Sequence, residues 1–551
     1  MKKIILLIVL VLALFSANTI YAASGNCGDN VSWTLDNNGV LTISGTGKMT
    51  DYLIEDKTSA QYGWFYYTPW QDFNQSIKQI IVKDGVTSIG SRAFAQCSNL
   101  RSVSLSNTVT FIGSQAFIDC ANLETINMPP NLTKMGNDVF SGCTKLANLK
   151  SPAADLGKTA AISTNINENN YRKWSKPIKS YLYVDGENLV RVECVGGQII
   201  VEKYSPDFQI ISAKRLESDI SEVFGGFFAG KNYNFIIVGK QNMNQNNNVD
   251  VFKIIKYDKN FQKIAETSLK GANTIDPFSY GSLRCAESGD ILYIHTCHRM
   301  YMTPDRLNHQ SNMTFSVRQS NMQITDAQYT VTYNYGYVSH SYNQFILIDN
   351  ENNIVTFDQG DAYPRAAILQ RYINKAGNDK FASKPTSIEL KKFPQNNYQY
   401  QRTGASIGGL AETKSYYVTA YNDDGLGGTT DYNDDSDSNN SRSIFVTFTS
   451  KNNFSIQGTT TIKFDGNFDT PFIIPVNLEG GYIIWKASNS ENIYCSHYDN
   501  TKNVTETKSF EGSLSDCQPI IYNNKITWYV TNNSKPVFYT LDETGLNTHK
   551  L

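Results

Sequence analysis

Apolar side chains between residues 77 and 150 return every 23 residues. Phe94, Phe117 and Phe140 keep that interval, as do Gly90, Gly113 and Gly136, and as do Cys97, Cys120 and Cys143. Ile77, Leu100, Leu123 and Leu146 open successive units; Ile80, Val103, Ile126 and Leu149 follow, and then Val82, Leu105 and Met128. The alternation L-x-x-V-x-L turns every second side chain to one face and predicts a short strand with one buried side. Val86, Val109 and Leu132, with Ile89, Ile112 and Met135, line a return path. Each glycine then leads into a segment expected to be helical, such as residues 114–119. No single unit can bury these side chains alone, whereas stacking lets each unit cover its neighbour. The recurring cysteines therefore read as core thiols acting as small hydrophobes. A metal site would need close pairs with histidine partners, and this spacing supplies none.

The units share the pattern I-G-x-x-A-F-x-x-C-x-x-L, carried by Ile89, Gly90, Ala93, Phe94, Cys97 and Leu100 and again by Ile112, Gly113, Ala116, Phe117, Cys120 and Leu123. This resembles the BspA-like leucine-rich repeats of bacterial surface proteins. The third unit departs conservatively, with Met135 for Ile, Val139 for Ala and the pair Asn131-Leu132 after proline. The preceding stretch, from Cys27-Gly28 through Trp33 and Asn38-Gly39 to Gly45, with Met49, Tyr52 and Pro69-Trp70 beyond it, is similar to that family's N-terminal cap. It reads as a hairpin with an Asn-Gly turn, and a cap is required because the first repeat otherwise exposes an apolar end. The resemblance covers about residues 25–152. It implies adhesion or ligand binding at a cell surface, although such arrays also serve as spacers.

Beyond an Asn-rich stretch at 153–178, read as a linker, the period changes. Short strands at 181–184, 189–192, 198–204 and 208–212 alternate with turns, and 235–238, 251–257 and 261–267 repeat the last three. Tyr204, Tyr257, Tyr372, Phe448, Tyr498 and Tyr539 hold similar places in successive units, and residues 313–324 add a further one. Four-stranded units of about 50 residues are the signature of a β-propeller. The expected architecture is thus multi-domain and mostly β: a leader at 1–23, a β cap at 24–76, a short leucine-rich-repeat solenoid at 77–152, the linker, and a propeller of about seven blades at 179–551. Six or eight blades fit the irregular spacing as well, and two or three β-sandwich domains are the alternative.

The leader reading rests on Lys2 and Lys3, the apolar run 4–15 and the small-residue exit at Ala22-Ala23, the three-part layout of a secretory signal. The run is shorter than the ~20 residues a membrane span needs, and no later stretch reaches that length, so no transmembrane segment is expected in the mature chain. A formal charge of −2, from 49 basic and 51 acidic residues, offers no electrostatic case for nucleic acid. The nine cysteines are an odd number, so one at least stays free unless two chains are bridged.

Candidate chemistry is sparse. His295, His298, His309 and His340 fall close together, followed by Asp358, Asp361 and Arg365, and adjacent blades bring such groups towards one channel, where they could bind ligand or act as acid and base. His295 and His298, three apart, point to opposite faces of a strand, which weakens a shared site. At least one histidine is expected to face outward, with no catalytic pocket formed. The acidic segment 423–442 mimics the first ligands of an EF-hand through Asp431, Asn433 and Asp435. It then carries Ser436 where glycine is needed and Arg442 where a glutamate is needed. It reads as a solvated loop, so neither metal nor cofactor is expected. No nucleophile-elbow, zincin, P-loop or Rossmann fingerprint occurs. On the array, the outward strand positions Arg101, Ser102, Ser104, Glu124, Thr125 and Asn127 are the candidate contacts for a protein or glycan ligand. The expected function is secreted or cell-surface binding and adhesion without catalysis; the alternative is a carbohydrate-active propeller enzyme with an accessory repeat domain.

Overall fold

A computed structural model of the chain describes residues 21–52, 68–127 and 177–550 and parts of 128–155. Breaks fall at 196–197, 217, 220–221, 394–404, 424–442, 464–467, 488–489, 533–534 and 543–544. Most of the leader, nearly all of the linker and the acidic segment after Asp423 lie outside the described residues. The chain divides into two compact units, residues 1–151 with 219–221, and 152–218 with 222–551. The described residues of both are β-strands and turns, with a single-turn 3-10 helix at Gln71–Phe73.

The first unit opens on Tyr21–Gly28, antiparallel to Val31–Asp36, which forms a hairpin with Val40–Gly45. Its turn is the expected one: Gly39 sits at φ 84°, and Asp36 Oδ1 accepts the amides of Asn38 (2.9 Å) and Val40 (2.8 Å). From Val40–Gly45 the pairing becomes parallel, running through Gln79–Val82 and Ser102–Ser104 to Thr125–Ile126. Ile80 meets Val103 and Val103 meets Ile126, so the register advances by the sequence period. The return path is itself a second parallel sheet, in which Val86–Ile89 pairs with Phe111–Ile112 and that pair with Lys134–Met135.

The segments expected to be helical are turns. Arg92, Gln96, Gln115 and Asp119 have φ between 54° and 59°, and left-handed residues at this spacing break an i→i−4 ladder. The amides bond across units instead: Arg92 N to Ser114 O (2.9 Å), Phe94 N to Ala116 O (2.8 Å) and Gln96 N to Ile118 O (2.8 Å). That close approach explains the glycines. A Cβ on Gly113 would lie 2.3 Å from Ser91 N, and one on Gly136 would lie 2.2 Å from Ser114 N. Inside, Trp70, Phe94, Phe117 and Phe140 form a stack with ring centroids 5.4, 5.3 and 5.6 Å apart. The cysteines are buried free thiols, as expected. They also donate across units, Cys120 Sγ to Phe94 O (3.1 Å) and Cys143 Sγ to Phe117 O (3.0 Å).

Among the described residues the second unit holds six antiparallel sheets. The first is Ser180–Asp185, Asn188–Val195, Gln198–Tyr204 and Ile210–Leu216, edged by Ala154–Asp155; the second runs from Val223–Ala229 to Lys263–Lys270. The third has nine strands, from Thr274–Pro277 to Thr386–Lys392, in which two meanders are joined at the Ser311–Ser339 pairing. The fourth starts at Ala405–Glu412, the fifth at Phe472–Asn477 and the sixth at Ile520–Tyr522. Each sheet buries apolar side chains against the next: Val192 and Ile199 with Phe227 and Ile236, for example, and Ile483 and Trp485 with Val418 and Val446. The last sheet packs on the first, through Tyr529 and Phe538 against Leu189 and Tyr204. The result is a propeller-like ring, not a pair of sandwiches.

Side chains close this ring, because every strand of the sixth sheet is C-terminal and none is shared with the first. Buried Arg191 donates to Glu202 from Nε (2.8 Å) and Nη2 (2.5 Å) and to Glu193 from Nη1. Tyr529 of the last sheet donates to Glu193 Oε2 at 2.8 Å, and Ser180 Oγ donates to Glu193 Oε1 at 3.1 Å. Two carboxylates and a guanidinium without exposed surface are tolerable only because each is held by the others.

Candidate functional site

The first strands of the meanders converge on a pocket of about 340 Å³. Arg284, Phe345, Leu410, Ile473, Ile474 and Ile520 are among its lining residues, each from the first strand of a different meander except for the adjacent isoleucines. The volume lies towards the lower end of the ~300–1,000 Å³ typical of small-molecule sites. Apart from Arg284 the lining side chains are uncharged, and most are apolar. Arg284 lays its guanidinium over the Phe345 ring at 5.0 Å. Its Nη1 donates to Leu283 O at 3.1 Å. Burial pulls its pKa below the usual guanidinium range, with Tyr181 and Cys285 opposing.

Glycine pairs mark two of these first strands. In Val223–Ala229 and Ala405–Glu412 the register slips at Gly225-Gly226 and Gly408-Gly409. A Cβ on Gly225 would lie 2.2 Å from the Phe278 ring and one on Gly408 1.8 Å from Pro471 O. Bare backbone is needed where one first strand meets the chain entering the next, and of these glycines Gly409 lines the pocket.

The histidines do not meet at this pocket. His295 is buried in Ile291–Met300, with Nδ1 2.8 Å from Thr314 Oγ1 and Nε2 3.0 Å from Asp358 Oδ2. Asp358, equally buried, accepts from Ser341 Oγ at 2.9 Å. Ser341 Oγ in turn accepts from Gln344 Nε2 at 2.8 Å, and Ser282 Oγ reaches Asn343 Oδ1 at 2.6 Å, extending the chain across the two halves of the nine-stranded sheet. His298 lies apart, with Nδ1 2.6 Å from Thr274 Oγ1. Thr274 donates to Ala272 O at 2.8 Å, so His298 carries its proton on Nδ1. Its buried Nε2 has no partner among the described residues, and burial lowers its pKa from 6.5 to about 3. His309 is partly exposed and pairs with Asp305 at 2.6 Å. His340 is half-buried at φ 50° and Arg365 half-buried after a strand end, whereas the Asp361 side chain lies outside the described residues. His298 and Asp358 thus stand in the wall of the ring with no surface to offer a ligand, and of the proposed set His309, His340 and Arg365 retain some.

On the array, Arg101, Ser104, Glu124 and Thr125 are exposed and Ser102 is half-buried. Asn127 is exposed but committed. Its Oδ1 accepts from Leu105 N (2.6 Å) and its Nδ2 donates to Leu105 O (2.7 Å), continuing the ladder where the strand ends.

Residues 72–190 match the BspA type leucine rich repeat region in six copies, a longer span than the units read at 77–152. No curated protein matches the chain. A leucine-rich repeat protein from Eubacterium ventriosum is 30% identical over 22% of this chain, with a TM-score of 0.18, and the chain spans 35% of that protein's length. An oligogalacturonate lyase in complex with manganese is 12% identical over 72% of this chain and 99% of its own, with a TM-score of 0.36. The β-propeller domain of the Trilobed protease from Pyrococcus furiosus is 9% identical over 60% of this chain and 83% of its own, with a TM-score of 0.34. Residues 72–190 match BspA-type leucine-rich repeats, and the described sheets from Ser180 onward, near where that match ends, form a propeller-like ring.

Proposed function

We propose that the chain is an exported binding protein with two recognition modules. The first is a leucine-rich-repeat solenoid whose outward ladder of Arg101, Ser104, Glu124 and Thr125 meets a protein or glycan at a cell surface or in the extracellular matrix. The second is a seven-bladed propeller, counting each half of the nine-stranded sheet as one blade beside the five other sheets. The charged start at Lys2-Lys3 and the apolar run behind it support export, and no helix among the described residues is long and apolar enough to cross a membrane.

The observation that carries this reading is the chemistry of the ring's pocket. Among the described residues its one titratable lining side chain is Arg284, which stays protonated and exchanges no proton at ordinary pH. General acid–base catalysis needs a group within hydrogen-bond reach of the substrate. The His295–Asp358 pair, an acid–base pair by its chemistry, is sealed in the wall. Apolar walls with one fixed cation favour holding a ligand over transforming it.

The test is binding of the full chain to glycan and extracellular-matrix arrays, alongside a variant with Arg101, Ser104, Glu124 and Thr125 all changed to alanine. Loss of binding at an unchanged melting temperature supports the ladder as the contact. Binding that survives this change makes the array a spacer. Turnover of a polysaccharide panel by a chain that retains no ligand would favour the alternative of a carbohydrate-active propeller enzyme with an accessory repeat domain.

A further inference from the structure

We propose that the central pocket of the ring binds an organic anion, with Arg284 holding a carboxylate head and the surrounding apolar side chains holding its body. This rests on the binding reading above and names a ligand class for one module.

Three arginines of this unit are matched to carboxylates. Arg191 has Glu193 and Glu202. Arg299 has Asp276 at 3.7 Å, and Arg318 has Asp379 and Asp290. Among the described residues Arg371, buried against the Phe454 ring and donating to Lys451 O, has no carboxylate, and neither has Arg284, but Arg284 alone of these lines the pocket. A guanidinium has five N–H donors, and among the described residues only Leu283 O accepts from Arg284. The neighbours that act on its charge, Tyr181 and Cys285, are themselves neutral groups held protonated by burial. A half-buried cation without a counter-ion is costly unless something supplies one, and the structure spends nothing to neutralise it. Instead, the guanidinium lies over the Phe345 ring at 5.0 Å, and its N–H donors not used by Leu283 O suit a planar, bidentate partner such as a carboxylate.

The remainder of the lining selects among anions. Leu410, Ile473, Ile474 and Ile520 offer no hydrogen bonds through their side chains. Inorganic phosphate or sulfate would surrender most of its hydration for a single arginine. A neutral sugar would bury several hydroxyls against aliphatic carbon, each at a cost. An acid with an aliphatic or aromatic body matches both halves of the site: one charge-assisted pair, and apolar surface removed from water at about 25 cal/mol per Å².

The experiment is calorimetric titration of the full chain with 4-phenylbutyrate and with its uncharged amide. The acid is expected to bind at least tenfold more tightly than the amide, and added salt should weaken only the acid. Arg284→Met should cost the acid at least tenfold while leaving the amide unchanged, and Arg284→Lys should fall between, since an ammonium keeps charge but not the fork. Melting curves check folding, and the acid–amide comparison on the unaltered chain stands even if a variant fails to fold. Equal affinities, no binding of either probe, or an Arg284→Met protein that holds the acid as well as before would overturn the proposal. Retention of glycan or matrix binding by Arg284→Met would then show that the wider binding reading survives without it.

Discussion

Phe117→Ala tests whether the stacked repeats hold together as one cooperative body. Phe117 has no exposed surface, and its ring lies between Phe94 (5.3 Å, interplanar 26°) and Phe140 (5.6 Å, 11°). Truncation removes the middle of a four-ring column and leaves both neighbours facing a cavity. Large-to-small changes of this kind cost about 3–5 kcal/mol. Each aromatic pair is worth about 0.5–1.5 kcal/mol beyond its area, which places the substitution towards the top of that range. For a unit of this size about 1 kcal/mol moves the midpoint by roughly 3–4 °C, so the array's transition should fall by about 10–20 °C. Differential scanning calorimetry of the full chain, with hydrogen exchange to assign each transition, separates the array from the ring. Phe140→Ala, at the thinner end of the column, should cost less. An array transition shifted by only a degree or two, with Phe117 protected from solvent in the parent, would refute the claim that the column carries the stack.

Three further outcomes follow from the same geometry. Arg191→Met should destabilise the ring by about 3–5 kcal/mol in urea unfolding, because it leaves Glu193 and Glu202 buried without their cation; an unchanged midpoint would mean that the ring closes without this network. Asn127→Ala should cost about 1–2 kcal/mol through the loss of both bonds to Leu105, and any binding lost with it should return when the protein is assayed well below its lowered midpoint. His298 is neutral in the fold, with its pKa drawn from 6.5 down to about 3, whereas in the unfolded chain it takes up a proton below pH 6.5. Its contribution is present above pH 6.5 and is lost as pH falls towards 3, so between pH 7 and pH 5 the parent should lose about 2 kcal/mol more than His298→Gln; parallel pH profiles would count against this assignment.

The array was legible because stacking writes itself into the sequence at a fixed interval. Phe94, Phe117 and Phe140 must be alike since each covers the next, and Gly113 and Gly136 must be bare since the preceding unit's backbone passes within 2.3 Å of where a side chain would begin. The turns after those glycines were misread as helix for a physical reason. Helix propensity counts bonds within a segment, whereas the amides of Arg92, Phe94 and Gln96 spend theirs on the next unit. The Asn127 clasp was invisible for the same cause: an exposed strand position looks available for ligand until the neighbouring unit's backbone is in place. In the ring, strands and turns were readable from local alternation. The pocket was not, because Arg284 and Ile520 are brought together by closure of the whole ring and no local spacing encodes that.

The histidine cluster shows where alternation stops being informative. Strand geometry separates His295 from His298, and the structure gives them different partners, Asp358 for one and Thr274 for the other. In a sheet with one wet face that separation would also say which histidine meets solvent. Here Ile291–Met300 is covered on both faces by neighbouring strands and sheets, and nearly every one of its side chains is buried. Opposite faces then mean two different interiors. A polar residue in such a strand must find a partner or stay neutral. His295 takes Asp358 and Thr314, while His298 takes one hydroxyl and keeps its second nitrogen unprotonated. Closeness in sequence of groups able to do acid–base chemistry therefore reflects the demands of a doubly buried strand, and the group left facing the open pocket is a single arginine from the strand beside it.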